Sequence, residues 1–276
     1  MLENFKKDNL SKIAIVGFIF FTIWWINLFL SGTKSESSNY LFGAIYGPVM
    51  SLFGAVGGLY ASRAWGGWKS VMGRAIILLS LGLFSQAFGQ IVFSYYGIFL
   101  GIEVPYPSIA DIGFFGYIPM YFYGIMLLAN ASGVKLKIRP ITSFLQVIII
   151  PLGMLIFSYM LFLREYEFDW TQPLTIFLDF AYPLGQALNV SLAIVLLSLS
   201  RNTLGGIMKN RIVLLIIAFI AQYFADYSFL YQNSRGAYYV GGIVDYLYLV
   251  AYTLMALGLF QLRATALRLR AQPAEK

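Results

Sequence analysis

Two residue types that support much of protein chemistry are missing, since the 276 residues include neither cysteine nor histidine. Without cysteine the chain forms no disulfide framework and offers no thiolate nucleophile. Without histidine it lacks the usual proton shuttle near neutral pH and the commonest metal ligand, which excludes histidine-ligated haem or chlorophyll. We therefore expect no metal site and no cofactor.

Charged residues are scarce. They make up only 11% of the chain, while hydrophobic residues make up 59%; a typical soluble domain has roughly 25% charged residues. This composition predicts an all-α polytopic membrane protein that has the lipid bilayer as its surroundings.

Eight apolar runs are long enough to cross a bilayer as helices, and we expect residues 1–276 to form one transmembrane domain. The spans lie near 12–31, 40–62, 72–98, 109–131, 141–163, 173–200, 210–231 and 237–262. They pair into four hairpins of parallel orientation at about 12–62, 72–131, 141–200 and 210–262, and a basic tail covers 263–276.

The basic residues predict the orientation. With a cytoplasmic N-terminus, all of the 19 lysines and arginines except Lys34, Arg164 and Arg235 fall on the cytoplasmic side, as the positive-inside rule requires. Both termini are then cytoplasmic, and we expect the protein in the cytoplasmic (inner) membrane of a prokaryote. The net charge of +7 follows from the same bias, so it requires no nucleic-acid partner.

Aspartates inside the apolar spans are the first candidate functional residues. Asp179, Asp226 and Asp245 have no basic residue at the same depth. A charge in a bilayer is costly, so an intramembrane carboxyl group is a candidate functional residue. Asp111 lies at the mouth of the fourth span, where it could instead cap the helix or act as a first-turn acid. Asp226 and Asp245 are the strongest candidates, because both lie within spans and in adjacent helices.

Polar side chains follow these aspartates at helical spacing, three, four or seven residues away, and so share one helix face with them. Such faces should turn towards the bundle interior, because lipid offers no hydrogen bonds. Together they predict an outward-facing, acidic, aromatic-lined cavity for a small organic cation or a polar aromatic ligand. The predicted ligand-binding residues are Gln90, Asp111, Asp179, Tyr182, Gln186, Gln222, Asp226, Asp245, Tyr248 and Tyr252.

The same residues also have a structural interpretation. Tyrosine hydroxyls often satisfy buried aspartate and glutamine side chains between membrane helices, and such a network needs no ligand. The sequence leaves both interpretations open.

An internal repeat relates the second hairpin to the fourth. The second helices of three hairpins open with an aspartate and, three residues later, an aromatic residue. Parallel repeats occur in some transporters, and duplication of a receptor-like bundle explains them equally well. The aligned pairs are Gln86/Gln222, Phe88/Phe224, Gln90/Asp226 and Tyr95/Tyr231, and the Asp-aromatic pairs are Asp111/Phe114, Asp179/Tyr182 and Asp245/Tyr248.

Catalytic signatures are missing as well. The sequence has no phosphate-binding glycine loop and no Ser-His-Asp set, and spans seven and eight hold no lysine to carry retinal. Asp226 and Asp245 lack the Tyr-Asp and Gly-x-Gly-Asp contexts of intramembrane aspartyl proteases. We therefore predict that the protein is not an enzyme.

A segment around Asp111 resembles a recurring stretch in the multi-span N-terminal membrane regions of bacterial GGDEF/EAL and histidine-kinase proteins. It reads Tyr106-Pro107-Ser108-Ile109-Ala110-Asp111-Ile112-Gly113-Phe114, followed by Tyr117 and Pro119. The resemblance implies a membrane-embedded sensor that signals to a cytoplasmic output domain. Residues 263–276 hold no such domain, so the resemblance implies either a separate cytoplasmic or membrane protein partner or a stand-alone relative with another role.

Three functions follow as hypotheses. The first is a sensor or ligand-binding module that signals to a separate partner. The second is a proton- or cation-coupled small-molecule transporter, which parallel repeats and intramembrane aspartates also fit. The third is a structural subunit of a membrane complex, in which the 18% aromatic residues serve packing.

Overall fold

The computed structural model describes residues 8–34, 36–102, 104–131, 141–200 and 206–271. Long helices dominate this part of the chain, and it contains no strand, so the predicted all-α class is confirmed. The helices are α1 (Asn9–Ser31), α2 (Ser37–Ala64), α3 (Val71–Tyr95), α4 (Ala110–Ala131), α5 (Ile141–Ser158), α6 (Pro173–Ser200), α7 (Gly206–Asn233) and α8 (Ile243–Ala271).

Seven of these helices, α1 to α4 and α6 to α8, are long and apolar enough to cross a membrane. For α5 and the turn that follows it, the side chains are described from residue 148 onward, and this stretch, Ile148–Leu163, is also apolar. Both α3 and α5 end in a π-helical turn, Tyr96–Leu100 and Tyr159–Leu163. Large apolar side chains such as Val16 and Ile23 of α1 are more than half exposed, as expected for a helix that faces lipid.

The last helix begins later and ends later than the sequence predicts. Its expected start at 237 is wrong, because a short loop precedes Ile243 and contains Gly236 (φ 62°) and Gly241 (φ 80°). These left-handed conformations suit glycine and break a helix. At the other end α8 continues to Ala271, so part of the predicted basic tail is helical.

Six helices form a closed ring in the order α2, α3, α4, α6, α7 and α8, with α8 packed again on α2. The remaining two lie outside the ring. Helix α1 packs on α8 and α2, and α5 packs on α6. The interior of the ring is therefore lined by side chains of these six helices.

Glycines let neighbouring ring helices approach closely. A Cβ atom at Gly113 of α4 would overlap the backbone of Gly89 and Ser85 in α3. On α2, a Cβ atom at Gly57 would overlap the ring of Phe260 and one at Gly58 would overlap Ser80. Small residues at helix contacts are typical of membrane bundles.

The two ends of the bundle differ. The Asp8 carboxylate before α1 and the Arg263 guanidinium of α8 lie 3.4 Å apart, so the start of α1 and the end of α8 share one end, here called the terminal end. The indole of Trp65, after α2, donates to the Leu262 carbonyl at 3.0 Å and belongs to the same end. The segments 32–34, 104–109, 164–172 and 234–242 lie at the opposite end, here called the cavity end.

Candidate functional site

A cavity of about 510 Å³ opens at the cavity end, inside the ring of helices. Its walls come from α3, α4, α6, α7 and α8, from the loops before α4 and α8, and from Phe162, Leu163 and Tyr166 at and after the end of the α5 turn. All ten side chains that the sequence predicts as ligand-binding residues line this cavity. They come from five different helices, and their assignment to ligand binding stays a prediction.

Asp226 is the most heavily bonded carboxyl group in the cavity. Its side chain is 8% exposed and accepts hydrogen bonds from the hydroxyls of Tyr117 (2.7 Å) and Tyr248 (2.9 Å). The Gln222 amide, one turn earlier on α7, donates to its two oxygens at 3.1 and 3.2 Å. Asp226 thus joins α7 to α4 and α8.

Asp245, at the start of α8, has a comparable set of hydrogen-bond donors. It accepts hydrogen bonds from the Tyr46 hydroxyl of α2 (2.8 Å), the Tyr238 hydroxyl (3.3 Å) and the backbone N–H of Gly241. Burial, followed by the nearby Asp245 carboxylate, raises the pKa of Tyr238 well above its ordinary value. Tyr238 therefore stays protonated and can donate its hydrogen bond.

Asp179 lies nearer the mouth of the cavity and is held by two loop residues. The hydroxyls of Tyr106 and Tyr166 donate to it at 2.8 and 2.7 Å. Burial and the hydrogen bond to Asp179 raise the pKa of Tyr166 to about 12. The loops before α4 and after α5 are therefore tied to the cavity wall through one carboxyl group.

Asp111 is both a first-turn acid of α4 and a lining residue of the cavity. It lies in the first turn of α4 and accepts a hydrogen bond from the backbone N–H of Ser108 at 2.7 Å. Its other oxygen accepts from the Tyr182 hydroxyl of α6 at 2.7 Å. The same carboxyl group thus fixes a helix start and lines the cavity.

Four glutamines line the cavity, and three of them are bonded within it. Gln90 donates to the Tyr252 hydroxyl at 3.2 Å, and Gln186 donates to the Tyr117 hydroxyl. Gln222 donates to Asp226. Gln86 differs, because it is 1% exposed and neither amide atom has a hydrogen-bond partner in the described part of the protein.

The residues predicted from the sequence do not include several others that line the cavity, namely Gln86, Tyr106, Tyr117, Tyr166 and Tyr238. Tyr106 and Tyr117 are part of the segment that resembles the sensor regions, and Gln86 is part of the repeat. The sequence patterns around these residues could therefore have been used to predict that they line the cavity. Tyr166 and Tyr238 lie in loops, where helical spacing gives no signal, and only the fold shows that they line the cavity.

The charged residues described around the cavity are all acidic. Four aspartates line it, and none of the described residues around it is a lysine or an arginine. The described residues contain no group of three or more acidic side chains that could hold a metal ion.

Below the cavity lies a layer of large, buried side chains. Leu83, Tyr121, Phe219 and Met255 lie one turn nearer the terminal end than the deepest lining residues and are at most 3% exposed. The rings of Tyr121 and Phe219 meet edge to face at 5.3 Å. We call these four residues the floor layer.

No protein-family model matches this chain, and neither a curated protein nor a solved structure matches it.

Proposed function

We propose that this protein is a membrane-embedded sensor that binds a small organic cation in its acidic cavity. The observation that carries the proposal is the convergence of four aspartates from four helices on one cavity that lacks a described basic residue. An acidic cluster alone would be weak support. The buried, unpartnered amide of Gln86 in the same cavity is independent support, because buried polar groups normally have partners.

The cavity has the dimensions and walls of a small-molecule site. Its volume of about 510 Å³ lies within the roughly 300–1,000 Å³ common for ligand pockets. Tyrosine and phenylalanine rings alternate with carboxyl and amide groups along its walls. Aromatic faces attract cations through their quadrupoles, so both wall components favour the same class of ligand.

The positive-inside rule supports a cavity that faces away from the cytoplasm. Described basic residues at the terminal end include Lys12, Arg63, Lys69, Arg74 and Arg263, whereas the cavity end carries four aspartates. With this orientation in a prokaryotic inner membrane, the ligand arrives from outside and both termini are cytoplasmic.

The floor layer favours sensing over transport. A transporter needs a second, polar route to the other side, and the large side chains of the floor layer are buried below the cavity. Helix α8 offers a path for a signal, because Asp245 and Tyr252 line the cavity and the same helix reaches Arg268 and Arg270 at the terminal end. A cytoplasmic or membrane protein partner would read that end.

The repeat suggested by the sequence gains support from two equivalent hydrogen bonds. The Tyr46 hydroxyl of α2 donates to Asp245 of α8, and the Tyr182 hydroxyl of α6 donates to Asp111 of α4. A duplication of four helices would make α6 the equivalent of α2 and α4 the equivalent of α8. It therefore explains both hydrogen bonds. We therefore also propose that the helical hairpins are repeats of parallel orientation.

A thermal-shift screen of detergent-purified protein tests the proposal. Organic cations and aromatic amines are added to wild type, to Asp226→Asn and to the control Asp169→Asn. Hydrogen bonds from Thr171 lower the pKa of Asp169, so the control also removes one negative charge, but outside the cavity. A ligand that binds only the folded protein raises the melting temperature.

We expect a shift in wild type and in Asp169→Asn that is lost in Asp226→Asn. Absence of any shift, with Asp226→Asn as stable as wild type, would favour the structural interpretation of the network and a subunit role. Flux of a bound cation into proteoliposomes, abolished by Asp226→Asn, would favour the transporter instead.

A further inference from the structure

Gln86 is the one lining glutamine whose amide is left without a protein partner. Gln90, Gln186 and Gln222 each donate to a tyrosine hydroxyl or to a carboxyl group of the cavity. Gln86 lies one helical turn deeper on α3 than Gln90, and both its amide oxygen and its amide nitrogen are unpartnered within the described residues. The difference is therefore specific to this position.

Structural need does not explain an amide at this position. A buried polar group without a hydrogen bond destabilises a protein by about 1–3 kcal/mol, and an apolar side chain of similar size would avoid this. Leu83, one turn away on the same helix, is apolar and fully buried. An amide at the deepest part of the cavity is consistent with recognition of a ligand.

The two free amide atoms define what they can recognise. Nε2 offers hydrogen-bond donors and Oε1 offers an acceptor, so a complementary group must both accept and donate. Hydroxyl and amide groups do so, whereas a hydrocarbon end or a second ammonium group does not.

We propose that the ligand is an organic ammonium ion that also carries a hydroxyl or amide group, and that Gln86 is the residue that selects for this group. This inference rests on the proposed function, since it assigns the second recognition element of the same cavity. The aspartates bind the cation, and Gln86 distinguishes among cations. Sites that hydrogen-bond a ligand hydroxyl discriminate strongly against analogues without it, because their polar groups are then left unpaired.

Titration calorimetry with two amines tests this inference. Tyramine and phenethylamine differ only by the phenolic hydroxyl, and each is titrated into wild type, Gln86→Met and Asp226→Asn. In wild type we expect tyramine to bind about tenfold more tightly, as one good hydrogen bond allows. In Gln86→Met the ratio should fall towards one, through loss of tyramine affinity while phenethylamine affinity is kept.

A second measurement tests whether Gln86→Met folds as stably as wild type. The melting temperature of unliganded Gln86→Met should equal or exceed that of wild type, because an unpaired buried amide is replaced by an apolar chain of similar size. A lower melting temperature, or failure to fold, would overturn the inference, since it would show that Gln86 makes structural bonds.

The outcomes separate this inference from the proposed function. Equal binding of the two amines to wild type, with both lost in Asp226→Asn, would overturn the role of Gln86 and leave the cation site intact. An unchanged preference for tyramine in Gln86→Met would also overturn it. Absence of binding of either amine to wild type would contradict both proposals.

Discussion

At the scale of single residues, each cavity aspartate accepts a hydrogen bond from at least one tyrosine hydroxyl. The donors to Asp226 and Asp245 include Tyr117 of α4 and Tyr46 of α2. A tyrosine hydroxyl satisfies a carboxyl oxygen by donating a hydrogen bond to it. The tyrosines therefore hold the carboxyl groups of the cavity in place.

Burial should decide how much each of these hydrogen bonds contributes to stability. Tyr46 is fully buried and bonds to Asp245, which is 4% exposed, whereas Tyr182 and its partner Asp111 are half-buried. We expect Tyr46→Phe to lower the free energy of unfolding by about 1–3 kcal/mol and Tyr182→Phe to lower it less, since water can replace the hydroxyl at Asp111. Thermal unfolding in detergent measures both.

Tyr123→Phe serves as the control for this comparison. Tyr123 is 60% exposed on the outside of α4, so its variant should melt like wild type. An equal loss of stability in all three variants would show that the hydroxyls matter through something other than buried hydrogen bonds.

The sequence predicted the aspartates but not most of their donors. Apolar spans make a carboxyl group conspicuous, and helical spacing links it to tyrosines and glutamines of its own helix. The donors Tyr46, Tyr117 and Tyr106 come from other helices or from loops. Such pairs depend on tertiary packing, which a single sequence does not reveal.

At the scale of helices, helical spacing correctly predicted which polar residues share one face of a helix; such a row of residues is here called a stripe. Asp179, Tyr182 and Gln186 all line the cavity, as their shared face on α6 predicts. Asn189 continues the same stripe, yet it donates to the Ile118 carbonyl at 3.2 Å and lies outside the cavity. A stripe identifies the inner face of a helix but not where the cavity ends along it.

Close approach of α3 and α4 should be sensitive to one methyl group. Alanine at Gly113 would place its Cβ against backbone atoms of α3, which cannot move aside as a flexible side chain can. We expect Gly113→Ala to destabilise the protein by about 1–3 kcal/mol through overpacking. Because Gly113 lies between two cavity-lining residues, Asp111 and Phe114, ligand affinity should fall too.

Gly153→Ala is the matched control in α5. A Cβ atom there meets nothing within 4 Å, and alanine favours the helix over glycine. The melting temperature in detergent should be unchanged or higher for Gly153→Ala and lower for Gly113→Ala. Equal stability of the two variants would contradict the tight contact between α3 and α4.

At the scale of the whole molecule, composition was enough to predict a bundle of membrane-length helices. The order of helices around the ring was not predictable, because it depends on which faces pack together. The peripheral positions of α1 and α5 follow from the fold alone. Convergence of five helices on one cavity is likewise a property of the ring.

The orientation of the bundle is directly testable, because the chain has no native cysteine. Single cysteines are introduced by Ser234→Cys at the cavity end and Lys69→Cys at the terminal end, and both positions are exposed. A membrane-impermeant maleimide applied to intact bacterial cells should label the first and spare the second until the cells are permeabilised. The reverse pattern would place the cavity on the cytoplasmic side.

The central claim is that the carboxyl groups of the cavity bind a cation because of its charge. The most direct measurement compares the affinities of tyramine and of tyrosol, its neutral alcohol counterpart, for wild type, Asp226→Asn and Asp169→Asn by titration calorimetry. We predict that tyramine binds wild type and Asp169→Asn at least tenfold more tightly than tyrosol does, and that Asp226→Asn loses this preference. Equal affinities for the two compounds in wild type, or a preference that survives in Asp226→Asn, would contradict the claim.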